Sequence, residues 1–243
     1  MAEMSSQGLG PGQVLTVMVV AATASAFLVG LVRRRAGLLG LLDVPNSRSS
    51  HRVPTPRGGG LGILAGLALG VIGMSVVAPG VAGRKALILI ACSLVVGLVG
   101  LIDDRTGLSA RLRLGIHIGA AGILVGAVGP VLSVPLPALL SVPLGSSWIT
   151  VPATVLWVAA VTNFFNFMDG VDGLAGGQAI ASCVGVIVAG SSVDAVGIAA
   201  ALGGASAGFL LYNWPPASIF MGDVGSGSTG FLLAGLPLLA PPE

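Results

Sequence analysis

Residues 86–104, ALILIACSLVVGLVGLIDD, form an apolar run that ends in two adjacent aspartates, Asp103 and Asp104. A bilayer is crossed by about 20 predominantly apolar residues, so this run is long enough to be a membrane-spanning helix. Carboxylates are costly next to hydrocarbon, and they usually serve a function where they occur there. The stretch therefore predicts a transmembrane helix with a functional, acidic end.

The rest of the chain has the same apolar character. Only 8% of the 243 residues are charged, and the mean hydropathy is +1.01, whereas a soluble domain carries roughly a quarter charged residues. The candidate spans are 14–32, 61–79, 86–102, 114–132, 151–168, 174–193, 195–213 and 226–240. The last is short, and prolines mark 133–147 as a loop or re-entrant segment. We predict an all-α polytopic membrane protein with about eight transmembrane helices, in a single integral membrane domain over residues 1–243.

The basic residues predict the orientation in the membrane. Nine of the eleven Lys and Arg residues follow the first or the third span, and only Arg84 and Lys85 do not. Since short cytoplasmic loops carry an excess of Lys and Arg, we expect the N-terminus outside and these loops in the cytoplasm, as in a multi-pass protein of the inner (plasma) membrane. Six aspartates, which played no part in this choice, then share the cytoplasmic side: Asp43, Asp103, Asp104, Asp169, Asp172 and Asp223.

Residues 163–173, NFFNFMDGVDG, close the fifth span with two asparagines and two aspartates. Asn163 and Asn166 are three residues apart and share a helix face, which Asp169 continues before Asp172 in the turn. Amide and carboxylate oxygens are hard ligands that suit Mg²⁺. The alternative is a simple capping turn between two spans, but the number of polar side chains exceeds what a cap requires.

Residues 220–226, FMGDVGS, lie between the last two spans. Asp223 is flanked by Gly222 and Gly225, as expected where the backbone approaches a ligand closely. If the last span begins here, its N-terminus would offer amide donors to an anion. For Phe220, contact with lipid is as good an interpretation as a functional role.

The other polar features have an ordinary interpretation beside a functional one. The pair Asp103 and Asp104 needs a compensating cation, a metal ion or Arg105, unless it is a solvated helix end. The loop 43–60 contains His51, Arg57 and three glycines, a composition suited to phosphate esters, although basic loops also set topology and bind anionic lipids. We expect His117, inside the fourth span, to make a helix–helix hydrogen bond.

At these clusters the chain resembles the polyprenyl-phosphate N-acetylhexosamine-1-phosphate transferases, which initiate peptidoglycan, teichoic acid and O-antigen synthesis. The elements that match, in order, are HRVPTPRGGG at 51–60, DD at 103–104, the 163–173 segment and MGDVGS at 221–226. The first loop is most similar to members that act on UDP-N-acetylglucosamine or its 6-deoxy relatives. Members have about ten spans, so the resemblance implies a chain that is C-terminally incomplete or a shortened member.

The resemblance implies transfer of N-acetylhexosamine-1-phosphate from a UDP-sugar to polyprenyl (undecaprenyl) phosphate, with release of UMP. By motif match, the catalytic residues would be Asp103, Asp104 and Asp223. Mg²⁺, or Mn²⁺ in its place, would be bound by Asp223 and Asn166. The nucleotide sugar would contact Phe220, Asn163, Asp169, Asp172 and Gly222. The phosphate and carrier lipid would contact His51 and Arg57.

Two other classes of function stay open on the sequence. A transporter also contains acidic residues in its spans, although its polar site would lie near the bilayer midplane. A shortened, non-catalytic relative would bind the nucleotide sugar without turnover. The resemblance further implies the bilayer and a homodimer as partners, and we expect no nucleic-acid partner. A one-step displacement and a two-step route through an aspartyl phosphate are both compatible with the residues.

Overall fold

The structure is a computed structural model that describes residues 8–45, 53–78, 83–131, 133–134, 142–143, 146–190 and 192–240. The eight α-helices in these ranges are α1 (Pro11–Leu39), α2 (Gly60–Val77), α3 (Arg84–Thr106), α4 (Ala110–Val128), α5 (Ser147–Met168), α6 (Leu174–Val188), α7 (Val193–Asn213) and α8 (Asp223–Gly235). A 3₁₀ turn, Leu236–Leu239, follows α8. Each predicted apolar run corresponds to one helix, which confirms the all-α class.

Six of these helices are long and apolar enough to cross a membrane, and α6 and α8 are not. The prediction of about eight spans is therefore supported for six helices. With 15 residues, α6 is only about 22 Å long at 1.5 Å per residue. With 13 residues, α8 is shorter still, because the chain turns into the 3₁₀ segment that contains Pro237.

Helix boundaries follow local signals in the sequence. Gly40 and Gly107 end α1 and α3 with φ values of 68° and 69°, a left-handed conformation that only glycine adopts without strain. Ser109 begins α4, and its hydroxyl accepts a hydrogen bond from the Leu112 amide at 3.3 Å. Ser192 begins α7 in the same way through the Ala195 amide at 3.2 Å.

Two antiparallel pairs of very short strands lie in the connections. Strand β1 (Leu42–Asp43) pairs with β2 (Thr55–Pro56) and closes the loop between α1 and α2. Strand β3 (Ser133–Val134) pairs with β4 (Val142–Pro143) within the segment predicted to be a loop or re-entrant. The remainder of that segment up to residue 145 lies outside the described residues.

Helices α7 and α8 are the most buried elements. Helix α7 packs against α1, α2 and α6, while α8 packs against α3 and α5. Glycines of α7 allow a close crossing with α1: a Cβ on Gly208 would lie 2.2 Å from the Ala22 carbonyl oxygen, and one on Gly204 would lie 2.3 Å from that of Met18. The small residues therefore let backbones approach, as expected for membrane helices.

The connections that follow α1, α3, α5 and α7 meet at one end of the bundle. The Phe220 amide donates to the Pro56 carbonyl at 2.8 Å, and the Gly59 amide donates to the Phe220 carbonyl at 2.9 Å. At the opposite end, the Gly83 amide donates to the Asp194 carboxylate at 3.1 Å. The fold thus gathers the acidic motifs at a single end of the molecule.

Candidate active site

Asp103 and Asp223 are brought together by one arginine. Nη1 of Arg113, on the first turns of α4, lies 2.5 Å from Oδ2 of Asp223 and also donates to Oδ2 of Asp103. Asp103 Oδ1 accepts a further hydrogen bond from the Leu108 amide. The Asp223 side chain is 26% exposed and that of Asp103 is 8% exposed, so Asp223 is the more open to a ligand.

Asp104 caps helix α8 from a neighbouring helix. Its two carboxylate oxygens accept hydrogen bonds from the backbone amides of Asp223 and Val224, each at 3.1 Å. The first amides of a helix have no partner within it, and the helix dipole favours negative charge there. The Asp104 side chain is only 3% exposed, so its carboxylate binds the amides at the start of α8 and is almost closed to solvent.

Asp169 holds the preceding residue of the same turn. Its Oδ2 accepts a hydrogen bond from the Gly222 amide at 3.1 Å. We expected the N-terminus of the last helix to offer its amides to a bound anion, and this prediction is wrong. The amides of Gly222, Asp223 and Val224 are bound by protein carboxylates, which supply the negative charge themselves.

Burial, with a contribution from neighbouring carboxylates, raises the pKa values of Asp223 and Asp169. Burial raises the pKa of Asp223 to about 7; the carboxylates of Asp103 and Asp104 add to the shift, and Arg113 opposes it. Burial raises the pKa of Asp169 well above its usual range, and the charges of Asp223 and Asp104 contribute. The site therefore has an excess of negative charge that a cation would relieve.

Two glycines make this arrangement possible. A Cβ on Gly100 would lie 2.3 Å from the Asp223 carbonyl oxygen, so α3 and the start of α8 touch through their backbones. Gly222 has a φ of 75°, and a Cβ there would lie 2.7 Å from Oδ2 of Asp104. Side chains at these positions would push Asp104 away from the amides it caps.

Substituting Gly100 tests the importance of this contact. We expect Gly100→Ala to lower stability by about 1–3 kcal/mol through overpacking and to lower turnover by on the order of tenfold to a hundredfold through displacement of Asp223. Gly119→Ala is the matched control, because a Cβ on Gly119 meets no atom within 4 Å. Thermal unfolding in detergent and an assay of turnover measure both effects. Equal behaviour of the two variants would show that the α3–α8 contact is unimportant.

The two asparagines predicted as site residues lie in different surroundings. Asn166 Oδ1 accepts a hydrogen bond from the Ser226 hydroxyl at 3.1 Å, which places it beside the first turn of α8. Asn163 lies one helical turn deeper, where its amide nitrogen donates to the Ala159 carbonyl at 2.7 Å and lies 3.2 Å from Nδ1 of His117. The expected helix–helix hydrogen bond of His117 is therefore confirmed.

Asp172 supports the connection that leads from α7 to Phe220. Its Oδ2 accepts a hydrogen bond from the Ala217 amide at 2.9 Å. Asn213, which we did not single out from the sequence, donates to the Ile219 carbonyl of the same connection at 3.0 Å and accepts from the amide of Gly173, at the start of α6, at 2.9 Å. These hydrogen bonds fix the backbone that carries the half-buried side chain of Phe220.

The described part of the first loop contributes packing and the cation of Arg57 to the site. Arg57 donates to the backbone carbonyl of Asp104, and its Nη1 lies 3.8 Å from Oδ1 of the same residue. A Cβ on Gly60 would lie 2.1 Å from the Cα of Gly225, so this glycine serves close packing of α2 on α8. His51, predicted to contact phosphate or lipid, lies outside the described residues.

The donor set fits a magnesium ion that is only partly bound by protein. Among the described residues, no group of three or more His, Cys, Asp or Glu is placed to hold one ion. Mg²⁺, however, usually keeps several waters and needs only one or two carboxylates together with substrate phosphates. The partly exposed carboxylate of Asp223, with the Asn166 carbonyl beside the same helix turn, offers such a set.

Sequence reasoning missed the role of Arg113, as it missed that of Asn213. Arg113 was counted among the basic residues that set the orientation, and nothing in the linear sequence connects it with Asp223. A weak signal was available: Arg113 is the fourth residue of α4, and a cation near a helix N-terminus is unfavourable unless an anion compensates it. The compensating anions come from two other helices.

The chain is similar to known proteins over most of its length. The chain matches the model described as Glycosyl transferase family 4 over residues 86–240. It is 31% identical over 232 residues to the probable undecaprenyl-phosphate N-acetylglucosaminyl 1-phosphate transferase of Bacillus subtilis, covering 93% of this chain and 63% of that protein. It is 34% identical over 238 residues to the decaprenyl-phosphate N-acetylglucosaminephosphotransferase of Mycobacterium tuberculosis, covering 90% and 58%.

In a further comparison, the alignment covers a larger share of both proteins. The phospho-N-acetylmuramoyl-pentapeptide-transferase of Synechococcus sp. is 32% identical over 260 residues, with 97% of this chain and 70% of that protein covered. The chain spans about three fifths of the length of the Bacillus and Mycobacterium proteins.

Proposed function

Because the chain belongs to glycosyl transferase family 4, we propose that it transfers N-acetylhexosamine-1-phosphate from a UDP-sugar to polyprenyl phosphate and releases UMP. The Bacillus and Mycobacterium relatives are named as transferases of this kind, acting on undecaprenyl and decaprenyl phosphate. One observation carries the proposal: Asp103 and Asp223, distant in sequence, share a cation at one end of the membrane helices. Such a site suits phosphate chemistry at a membrane surface.

The chemistry requires that charge on two phosphates be neutralised while they approach each other. We propose that Asp223 and Asn166 hold Mg²⁺, or Mn²⁺, which when bound supplies this neutralisation. Asp103 orients the lipid phosphate, whose second pKa near 6 leaves it mostly dianionic without a strong base. The carboxylate of Asp104 is committed to α8 amides, which supports a role in positioning Asp223.

The remaining predicted residues surround this centre. We propose that Phe220 stacks on the uracil ring and that Asp169, Asp172 and Gly222 shape the nucleotide pocket, because all four lie on or against the connection before α8. Arg57, partly exposed and bound to Asp104, is placed to contact phosphate. His51 and Asn163 keep their predicted contacts with phosphate or lipid and with the nucleotide sugar, respectively.

The orientation and cellular setting follow from the same proposal. Nine of the eleven basic residues follow the first or the third predicted span in the sequence. Those that the structure describes lie in the last turns of α1 and α3, in the loop before α2 or in the first turns of α4, at the end of the bundle that carries the aspartates. By the positive-inside rule this end faces the cytoplasm, where nucleotide sugars are found, in an inner (plasma) membrane protein. The product would initiate a cell-envelope polysaccharide. A homodimer is also proposed, and the mass of the protein in detergent measures it.

A nucleotide-sugar panel tests the function directly. The purified protein in detergent, with polyprenyl phosphate and Mg²⁺, is offered several UDP-N-acetylhexosamines, and UMP release is measured. We expect release with at least one sugar, dependent on both the lipid phosphate and the metal. The same panel is run on a longer chain that matches the full length of the relatives. Activity of the longer chain alone would show that residues 1–243 are an inactive segment and that the proposal is right. Absence of UMP release in both would contradict the proposal.

A transporter is the second function that the sequence left open. Its polar site would lie near the bilayer midplane, between broken helices. Here Asp103, Asp104 and Asp223 lie at helix ends, close to one another. Substrate flux across vesicles without UMP release would favour the transporter.

A further inference from the structure

Arg113 bridges two carboxylates that come from different helices. Its Nη1 contacts Oδ2 of Asp103 at the end of α3 and Oδ2 of Asp223 at the start of α8. With a side chain that is 30% exposed, Arg113 is partly open to solvent. A single guanidinium nitrogen therefore occupies the position between the two carboxylates where any cation would be most strongly attracted.

The position of Arg113 in α4 indicates that its contacts with Asp103 and Asp223 stabilise it there. Arg113 lies in the first turns of α4, where the helix dipole repels positive charge. Arg111, two residues earlier on the same helix, is exposed. The carboxylates of Asp103 and Asp223 offset the unfavourable dipole for Arg113.

The two carboxylates differ in how firmly they are held. Asp103 Oδ1 is also bound by the Leu108 amide, and its side chain is 8% exposed. Asp223, at 26% exposed, presents its carboxylate more openly. Loss of the Arg113 contact would leave Asp103 in place and free an oxygen of Asp223.

We propose that Arg113 is the resident cation of the metal-free site, and that a divalent ion binds Asp223 by displacing the Arg113 guanidinium. This inference rests on the proposed function, which assigns Asp223 as a metal ligand. A guanidinium and a divalent ion at the same carboxylate oxygen repel each other at short distance, so the binding of one opposes the binding of the other. The arginine thus keeps the carboxylates together without metal and lowers the affinity of the site for metal.

The test measures metal affinity in the absence of any substrate. Mn²⁺ is titrated into the detergent-solubilised protein, and the free ion is followed by electron paramagnetic resonance. We expect Arg113→Gln to bind Mn²⁺ about tenfold more tightly than the unaltered protein, since the competing cation is gone. Arg111→Gln, which removes the same charge from an exposed position, should change the dissociation constant by less than about twofold, since exposed charges are screened.

A second variant keeps the test decisive if Arg113→Gln fails to fold. Arg113→Lys retains the charge but loses the planar fork, so its Mn²⁺ affinity should lie between those of the other two proteins. Affinity equal to or weaker than that of the unaltered protein in both variants would overturn the inference. Asp223→Asn distinguishes failure of the metal assignment from failure of the proposed exchange. If Asp223→Asn leaves Mn²⁺ binding unchanged, the assignment of Asp223 as a metal ligand is wrong. If Asp223→Asn loses Mn²⁺ binding while both Arg113 variants keep the affinity of the unaltered protein, only the exchange is refuted.

Discussion

Asp223→Asn is expected to lower the rate of UMP release by about 10²- to 10³-fold, the usual cost of removing one group that stabilises transition-state charge. Asparagine keeps the size of the side chain and one carbonyl oxygen, but it loses the negative charge that would attract the metal. It also loses the ion pair with Arg113, which lies 2.5 Å from the carboxylate. The measurement is turnover of sugar-1-phosphate transfer at saturating lipid phosphate, over a range of Mg²⁺ concentrations.

Asp194→Asn is the matched control for this experiment. Asp194 lies at the opposite end of the bundle, where it accepts a hydrogen bond from the Gly83 amide, and the same chemical change there should leave turnover within about twofold. A partial recovery of Asp223→Asn at high Mg²⁺ would agree with a weakened metal site. Turnover of Asp223→Asn equal to that of the control would remove the metal assignment.

Asp104→Asn is expected to have the second-largest effect. Asparagine offers one acceptor oxygen where aspartate offers two, so one of the amides of Asp223 and Val224 would lose its partner and face an NH₂ group. A buried donor without a partner costs about 1–3 kcal/mol. Because both amides lie at Asp223, the proposed metal ligand, or at the residue after it, turnover should fall by about tenfold to a hundredfold.

Hydrogen exchange distinguishes positioning from direct chemistry. In Asp104→Asn the peptide that covers residues 223–226 should exchange faster, since the first turn of α8 has lost part of its cap. Asp103→Asn is the control, because Asp103 contacts Arg113 and the Leu108 amide and no α8 amide. If turnover of Asp104→Asn falls while exchange at 223–226 stays as in the control, Asp104 acts on the substrate.

Most helices could be located from hydropathy alone. The apolar runs, the glycines that end helices and the serines that begin them are short-range signals, and each predicted run became a helix. Hydropathy did not show the length of α8, because the chain stays apolar through the 3₁₀ turn with Pro237 that follows Gly235. The grouping of the aspartates at one end followed from the alternating direction of successive helices.

The partners of individual site residues could not be read from the sequence. Asp104 and Asp169 looked like two more groups available to a ligand, yet the structure uses them to bind the amides of residues 222–224. Arg113 looked like a topology signal, yet it bridges Asp103 and Asp223. Apart from Asp103, which lies ten residues before Arg113, each partner is more than 50 residues away in the sequence.

By itself, the sequence determined the membrane-embedded helices, the end of the bundle that carries charge, and the residue types that could serve phosphate chemistry. These are local properties, since hydropathy, capping and charge depend on neighbours along the chain. Only the tertiary structure decided which carboxylate caps α8, which two pair with Arg113 and which of these two stays partly open to a cation. Those choices depend on how closely α3 and α8 approach at Gly100 and Gly222, where the absence of a side chain allows a contact that no linear pattern records.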